Sequence, residues 1–167
     1  TMETLLDYSC GTGSDGAPYD ATETACSCVE GACVQASMTV ASFLTSASGV
    51  TIVIGASAAT EDNIAAIDLA GAYGWDVVTD ATISDFTTQN TVAVGGPYAN
   101  AASRAALGGE VWDYQPGQAL FFLREYDAGG ATLIISGSEA RDTRNAVKLT
   151  INNPSSLAYA YGVEQVS

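Results

Sequence analysis

Between Val50 and Ile151 the chain repeats one pattern three times: a short apolar run rich in β-branched residues, a glycine, then an alanine-rich stretch. The first copy is Val50-Thr51-Ile52-Val53-Ile54-Gly55 followed by 60–73. The second is Thr91-Val92-Ala93-Val94-Gly95-Gly96 followed by 97–107, and the third is Thr132-Leu133-Ile134-Ile135-Ser136-Gly137 followed by 138–151. Apolar runs without alternation predict strands buried on both faces. Their alternation with helices predicts an α/β fold with a mainly parallel sheet flanked by helices. Ile52, Val53, Ile54, Val92, Val94, Leu133, Ile134 and Ile135 are the expected core of that sheet.

The helical stretches carry start signals. Thr60 is the expected cap of the first helix, with Glu61 and Asp62 at the positive end of its dipole. Ile64, Ala65, Ile67, Leu69, Gly71 and Ala72 are its expected buried face, and Glu61 and Asp68 its wet side. Pro97 suits the first turn of the middle helix. Ser138 is the expected cap of the last, ahead of Glu139 and Asp142, with Lys148 near its end and Ala140, Val147 and Ile151 on one face. Asp76 to Thr79 reads as another short strand. Leu120 to Tyr126, joined to the third apolar run by Asp127-Ala128-Gly129-Gly130, reads as the first arm of a β-hairpin. After Pro154 the tail alternates Leu157, Tyr159, Tyr161 and Val163 with small residues, the pattern of an edge strand or one seeking a partner.

Ahead of the repeats the texture differs. Cys10, Cys26, Cys28 and Cys33 are the only cysteines, set among Gly, Ser, Thr and Asp. An even number in such a segment predicts a disulfide-rich N-terminal loop region with two disulfides, whose connectivity is open among three pairings. Cys26 and Cys28 are too close for easy mutual bridging. A thiolate metal site is the rival, but C-x-C is not the usual knuckle and the chain has no His. Residues 34–48 read as a strand or short helix leading into the body. The organisation expected is therefore a cysteine-containing segment 1–49, an α/β core 50–153, and a tail 154–167 that packs on the core or on a neighbouring subunit.

Charge narrows the partners. The 167 residues include 19 acidic and 5 basic side chains, a net charge of −14, which repels phosphate backbones and argues against nucleic acid. No apolar run approaches the ~20 residues of a transmembrane helix. Thr1-Met2-Glu3-Thr4 lacks signal-peptide blocks and reads as a mature or trimmed start. Disulfides place the protein in an oxidising, extracellular setting.

Catalytic constellations are sparse. Without His there is no Ser-His-Asp, Cys-His or HExxH arrangement, and neither phosphate-loop motif occurs. The expectation is no enzyme and no cofactor. Gly55, Gly95-Gly96 and Gly137 sit where helix N-termini could hold an anion, but tight turns and close helix packing are the favoured reading. Arg141 and Arg144 are the nearest basic pair. Asp15 and Asp20, beside Gly11, Gly13 and Gly16, are the candidates for a loop Ca²⁺ site, although the spacing is not that of an EF-hand. The aromatics Tyr8, Tyr19, Tyr98, Trp112, Tyr114, Tyr126, Tyr159 and Tyr161 suit either sugar stacking or protein contacts.

Val94-Gly95-Gly96-Pro97-Tyr98-Ala99-Asn100 resembles the "VGGPxAN" element of archaeal S-layer proteins. Ile54 to Ala59 and Asn63 to Ala70 resemble that family's strand, turn and alanine-rich helix. Ile134 to Arg144 is similar to its "VVAG" strand and "xDTR" helix, and the order of all three elements matches. The resemblance implies a non-enzymatic protein of the cell surface that assembles with copies of itself into a lattice. A filament subunit reusing the domain fits the short chain. The two ends, 1–8 and 157–163, are the expected contacts, strengthened by salt or Ca²⁺ that screens the acidic surface. The alternative is a binding module for cell-wall glycan or a small anion.

Overall fold

The computed structural model describes residues 38–167, and of the preceding segment the backbone of β1 (Cys26–Val29) and β2 (Ala32–Gln35). These strands pair antiparallel with Cys28 opposite Cys33, in a segment expected to be loop. They belong to a unit ending at Ser37, and Met38–Ser167 form a second unit. The cysteine side chains, the candidates Asp15 and Asp20, and the contact segment 1–8 lie outside the described residues.

The second unit starts earlier than the boundary expected at residue 49. Helix α1 (Val40–Ser46) buries Val40, Phe43 and Leu44 in its core. Thr39 caps it: the Ser42 amide donates to Thr39 Oγ1 at 3.1 Å, and the Thr39 amide donates to Ser42 Oγ at 2.9 Å. Three apolar side chains on a capped helix have nowhere to go but onto the sheet.

The expected α/β architecture is present. Strands β3 (Thr51–Ile54), β4 (Asp76–Thr79), β5 (Asn90–Val94), β6 (Gln118–Glu125), β7 (Ala131–Gly137) and β8 (Tyr161–Gln165) form a six-stranded sheet in the order β4-β3-β5-β7-β6-β8. The first four are parallel, and β6 runs antiparallel to both β7 and β8. The β6–β7 hairpin is the one read from the sequence. Helices α2 (Thr60–Tyr73), α3 (Ala101–Leu107) and α4 (Ala140–Asn152) follow β3, β5 and β7. Alternation along β6 separates two layers: Phe121 and Leu123 pack with α1, α2 and α4, whereas Leu120 and Phe122 pack with Leu107, Trp112 and Tyr114 on the α3 side. The eight expected core residues are all buried except Ile54, which is half-buried.

Helix starts and faces depart from the expected ones. Ala59, not Thr60, is the N-cap of α2, and it makes no side-chain cap. The buried stripe of α2 is Asp62, Ala65, Ala66 and Leu69, while Ile67 is 65% exposed and Gly71 and Ala72 also face out. Ile64 and Ile67 lie opposite Ala65, Ala66 and Leu69 around the helix, so apolarity alone does not choose a face. Helix α3 starts at Ala101 behind an Asn100 cap, leaving Pro97 in the preceding turn. Helix α4 is capped at Glu139 rather than Ser138 and buries Asp142, Thr143, Ala146, Val147 and Thr150.

The tail is not a free strand. Leu157 is fully buried, and β8 pairs with β6 from Gln118↔Gln165 to Phe122↔Tyr161. The amides of Val40 and Ala41 donate to the carbonyls of Tyr159 and Leu157 at 2.8 and 2.9 Å, fastening α1 to it.

Candidate functional site

Helix α2 leaves β3 towards one face of the sheet and α3 leaves β5 towards the other. The carboxyl ends of these neighbouring strands are where open α/β sheets form a ligand crevice. Here the chain fills its own crevice. A Cβ on Gly55 would collide with the carbonyl oxygen of Ala99, so the glycine lets the 96–100 turn close over β3. Asn100, fully buried, donates from Nδ2 to the carbonyls of Val53 (2.8 Å) and Val94 (3.0 Å), while its Oδ1 accepts the Ala102 amide at 3.0 Å. Asp80, at the end of β4, accepts the amides of Ala56 (3.0 Å) and Ala101 (2.8 Å). Ser103 Oγ donates to the Gly95 carbonyl at 2.7 Å. The Gly55 junction is thus filled by backbone, as the close-packing reading expects.

A cleft of about 400 Å³ lies over the ends of β5 and β7, walled by the α3–β6 connection and the first turn of α4. Asp62, Gly96, Trp112, Tyr114, Ser136 and Glu139 line it. Asp62 is only 6% exposed and its Oδ1 has no hydrogen-bond partner among the described residues. Burial pushes its carboxyl above the usual aspartate range, the Thr143 hydroxyl and the Ala59 amide partly offset this, and the neighbouring Glu61 adds to it. Gly95 has φ 101°, and a Cβ there would lie 3.2 Å from Asp62 Oδ2, so both backbone shape and space require glycine beside this carboxyl. Tyr114 and Ser136 share a hydroxyl–hydroxyl bond of 2.9 Å. Trp112 rests edge-on against Phe122 at 5.9 Å.

The third glycine junction is also packed. A Cβ on Gly137 would strike the backbone of Asp142 and Thr143. The Gly137 amide donates to Thr143 Oγ1 at 2.9 Å, and Asp142 Oδ2 accepts the amides of Gly117 (2.9 Å) and Glu139 (3.2 Å). Arg144 lies between Glu61 (3.6 Å) and Asp68 (3.9 Å) of α2, and Arg141 is 3.7 Å from Glu139. The basic pair therefore faces carboxylates. Of the aromatics singled out in the sequence, Tyr98, Trp112 and Tyr114 come together at the cleft, Tyr161 touches Trp112 at 5.5 Å, and Tyr126 and Tyr159 lie elsewhere.

Sequence reasoning placed Asp62 only as a favourable charge in the first turn of a helix. The missed signal was its phase: 62, 65, 66 and 69 follow the spacing of a single helical face. A carboxyl in that stripe is costly to bury. Below the unfolded-state pKa both states hold the proton. As pH rises through the higher folded-state value the native state must give it up against burial, so the stability tied to this group is lost towards neutral pH. Asp62→Asn should therefore raise unfolding stability at pH 7 by about 1–2 kcal/mol, the gain fading below about pH 4. Urea titrations of the two proteins at both pH values check this. Equal stability at pH 7 would mean that the carboxyl is not held in this environment.

No protein-family model matches the chain, and no curated protein matches it. Among solved structures, the C-terminal domain of a CTP1L endolysin mutant that reduces autoproteolysis is similar at 23% identity over 62% of this chain and 92% of its own, with a TM-score of 0.35.

Proposed function

We propose that this is a non-catalytic structural protein of the cell surface, a domain that repeats through copies of itself in an S-layer-like lattice or an extracellular filament. One observation carries the reading. The residues that resemble the archaeal S-layer elements make architecture: Gly55 and Gly137 admit backbone, Asn100 ties β3 to β5, and Asp142, Thr143 and Arg144 hold β7, the 117 turn and α2. Apart from Asp142 Oδ1 and Arg144 Nε, which have no hydrogen-bond partner among the described residues, these polar groups bond within the chain, as in a motif that builds a rigid unit. In this reading two disulfides among Cys10, Cys26, Cys28 and Cys33 brace the N-terminal segment outside the cell, no cofactor is needed, and Ca²⁺ bridges acidic neighbours.

Contacts between copies run through the sheet edges rather than a loose tail. At one end of the sheet β4 pairs only with β3 among the described residues, and its Val77 is 36% exposed. The purified full chain should form ordered assemblies by electron microscopy and light scattering as NaCl or Ca²⁺ is raised, because each lowers the repulsion of −14 per copy. Val77→Lys should suppress them without lowering the melting temperature. The alternative is a module for cell-wall glycan or a small anion: backbone fills the Gly55 junction, and a glycan would use Trp112 and Tyr114 at the cleft. A monomer that never assembles under these conditions yet binds a wall glycan tightly would replace the structural reading.

A further inference from the structure

We infer that the cleft at the carboxyl ends of β5 and β7 binds a ligand bearing a primary ammonium group, with Asp62 as its counter-ion. This rests on the cleft alone and is independent of whether copies assemble. Four carboxylates line the cleft: Asp62, Glu110, Asp113 and Glu139. Three of them meet side chains near the cleft, whereas the Asp62 carboxyl has the Thr143 hydroxyl and the Ala59 amide close by. Glu110 meets Arg124 at 3.1 Å, Glu139 stands 3.7 Å from Arg141, and Asp113 accepts from Gln115 Nε2 at 3.2 Å. Asp62 is the most buried of the four, and its Oδ1 alone among their oxygens is buried with no hydrogen-bond partner among the described residues. A buried carboxylate oxygen without a donor is held at a cost that an outside N–H donor relieves.

The remaining lining selects the kind of donor. No Lys or Arg lines the cleft, and the field of a chain at −14 concentrates cations there while repelling anions. Among the described residues no three His, Cys, Asp or Glu side chains group to hold a metal ion, so a bare divalent cation is a poor fit. An ammonium offers three donors from one point charge. Asp62 can take one, the Ser136 hydroxyl lies on the same lining, and the rings of Trp112 and Tyr114 favour a cation over their faces. A neutral sugar gains nothing from the charge. At about 400 Å³ the cleft admits an amino sugar or the end of an alkyl amine.

The test uses the full chain with cadaverine and glucosamine as ammonium probes, and glucose and N-acetylglucosamine as neutral counterparts. Calorimetry should show both amines binding, with the neutral sugars at least about tenfold weaker. In amide spectra the amines should shift residues 96 and 98, 112–114 and 136–140. Asp62→Asn should weaken amine binding at least about tenfold while its own spectrum stays that of a folded protein. If that variant does not fold, the amine-against-sugar comparison and the wild-type shift map decide the matter. Neutral sugars binding as well as the amines, shifts centred elsewhere, or no amine binding at about 10 mM would each overturn the inference.

Discussion

A chain ending at Asn153 should show no cooperative unfolding transition by circular dichroism or calorimetry. The removed segment supplies Leu157, fully buried in the main cluster, and Val163, packed with Leu120 and Phe122 on the opposite face. Each such side chain is worth about 1.5–3 kcal/mol when buried. The loss also bares the outer edge of β6, whose residues Ala119 to Leu123 are all buried and apolar. It leaves the amides of Val40, Ala41 and Leu123 without their carbonyl acceptors on Tyr159, Leu157 and Ala160, and the Gly117 carbonyl without the Val166 amide. Together these losses approach the roughly 5–15 kcal/mol of a typical domain. A truncated chain that melts near the intact one would mean that β8 does not belong to this sheet. For assembly studies the consequence is practical: the tail cannot be deleted to make a folded monomer, and point changes on β4 must be used instead.

Asn100→Ala should be the most damaging single polar-to-alanine change, lowering stability by about 3–7 kcal/mol. It removes a helix cap, worth about 1 kcal/mol, and leaves the buried carbonyls of Val53 and Val94 without their donor at roughly 1–3 kcal/mol each. Asn100→Asp is the sharper test. It keeps the shape and the cap acceptor, yet it exchanges the donating nitrogen for an oxygen facing two carbonyls. It should be at least as destabilising as alanine at pH 7 despite being isosteric. Urea midpoints of the three proteins decide the matter. An Asp variant as stable as the parent would show that Asn100 does not bridge the two strands.

The repeating apolar runs were enough to place β3, β5 and β7, because a strand buried on both faces needs an unbroken block of Val, Ile and Leu and few other structures do. The β6–β7 hairpin was legible for a related reason, since Asp127 to Gly130 is turn chemistry between two apolar blocks. Close packing at Gly55 and Gly137 was also within reach, as one of two readings of a glycine after a strand. Helix faces were not, because α2 carries apolar residues on opposite sides, Leu69 on one and Ile64 and Ile67 on the other, and only the sheet beneath it distinguishes them. The tail's alternation announced a strand but could not name its partner, which lies some forty residues away in β6. Asn100, Asp80 and Asp62 show the limit most clearly. Each is an ordinary polar residue near a helix start, and what it does depends on groups from other elements: two strand carbonyls for Asn100, two loop amides for Asp80, and for Asp62 an enclosure that supplies no partner to one of its oxygens. Local sequence determines which segments are strands and helices, through periodicity and turn chemistry. Whether a carboxyl is satisfied or left waiting for a ligand is decided only by long-range packing.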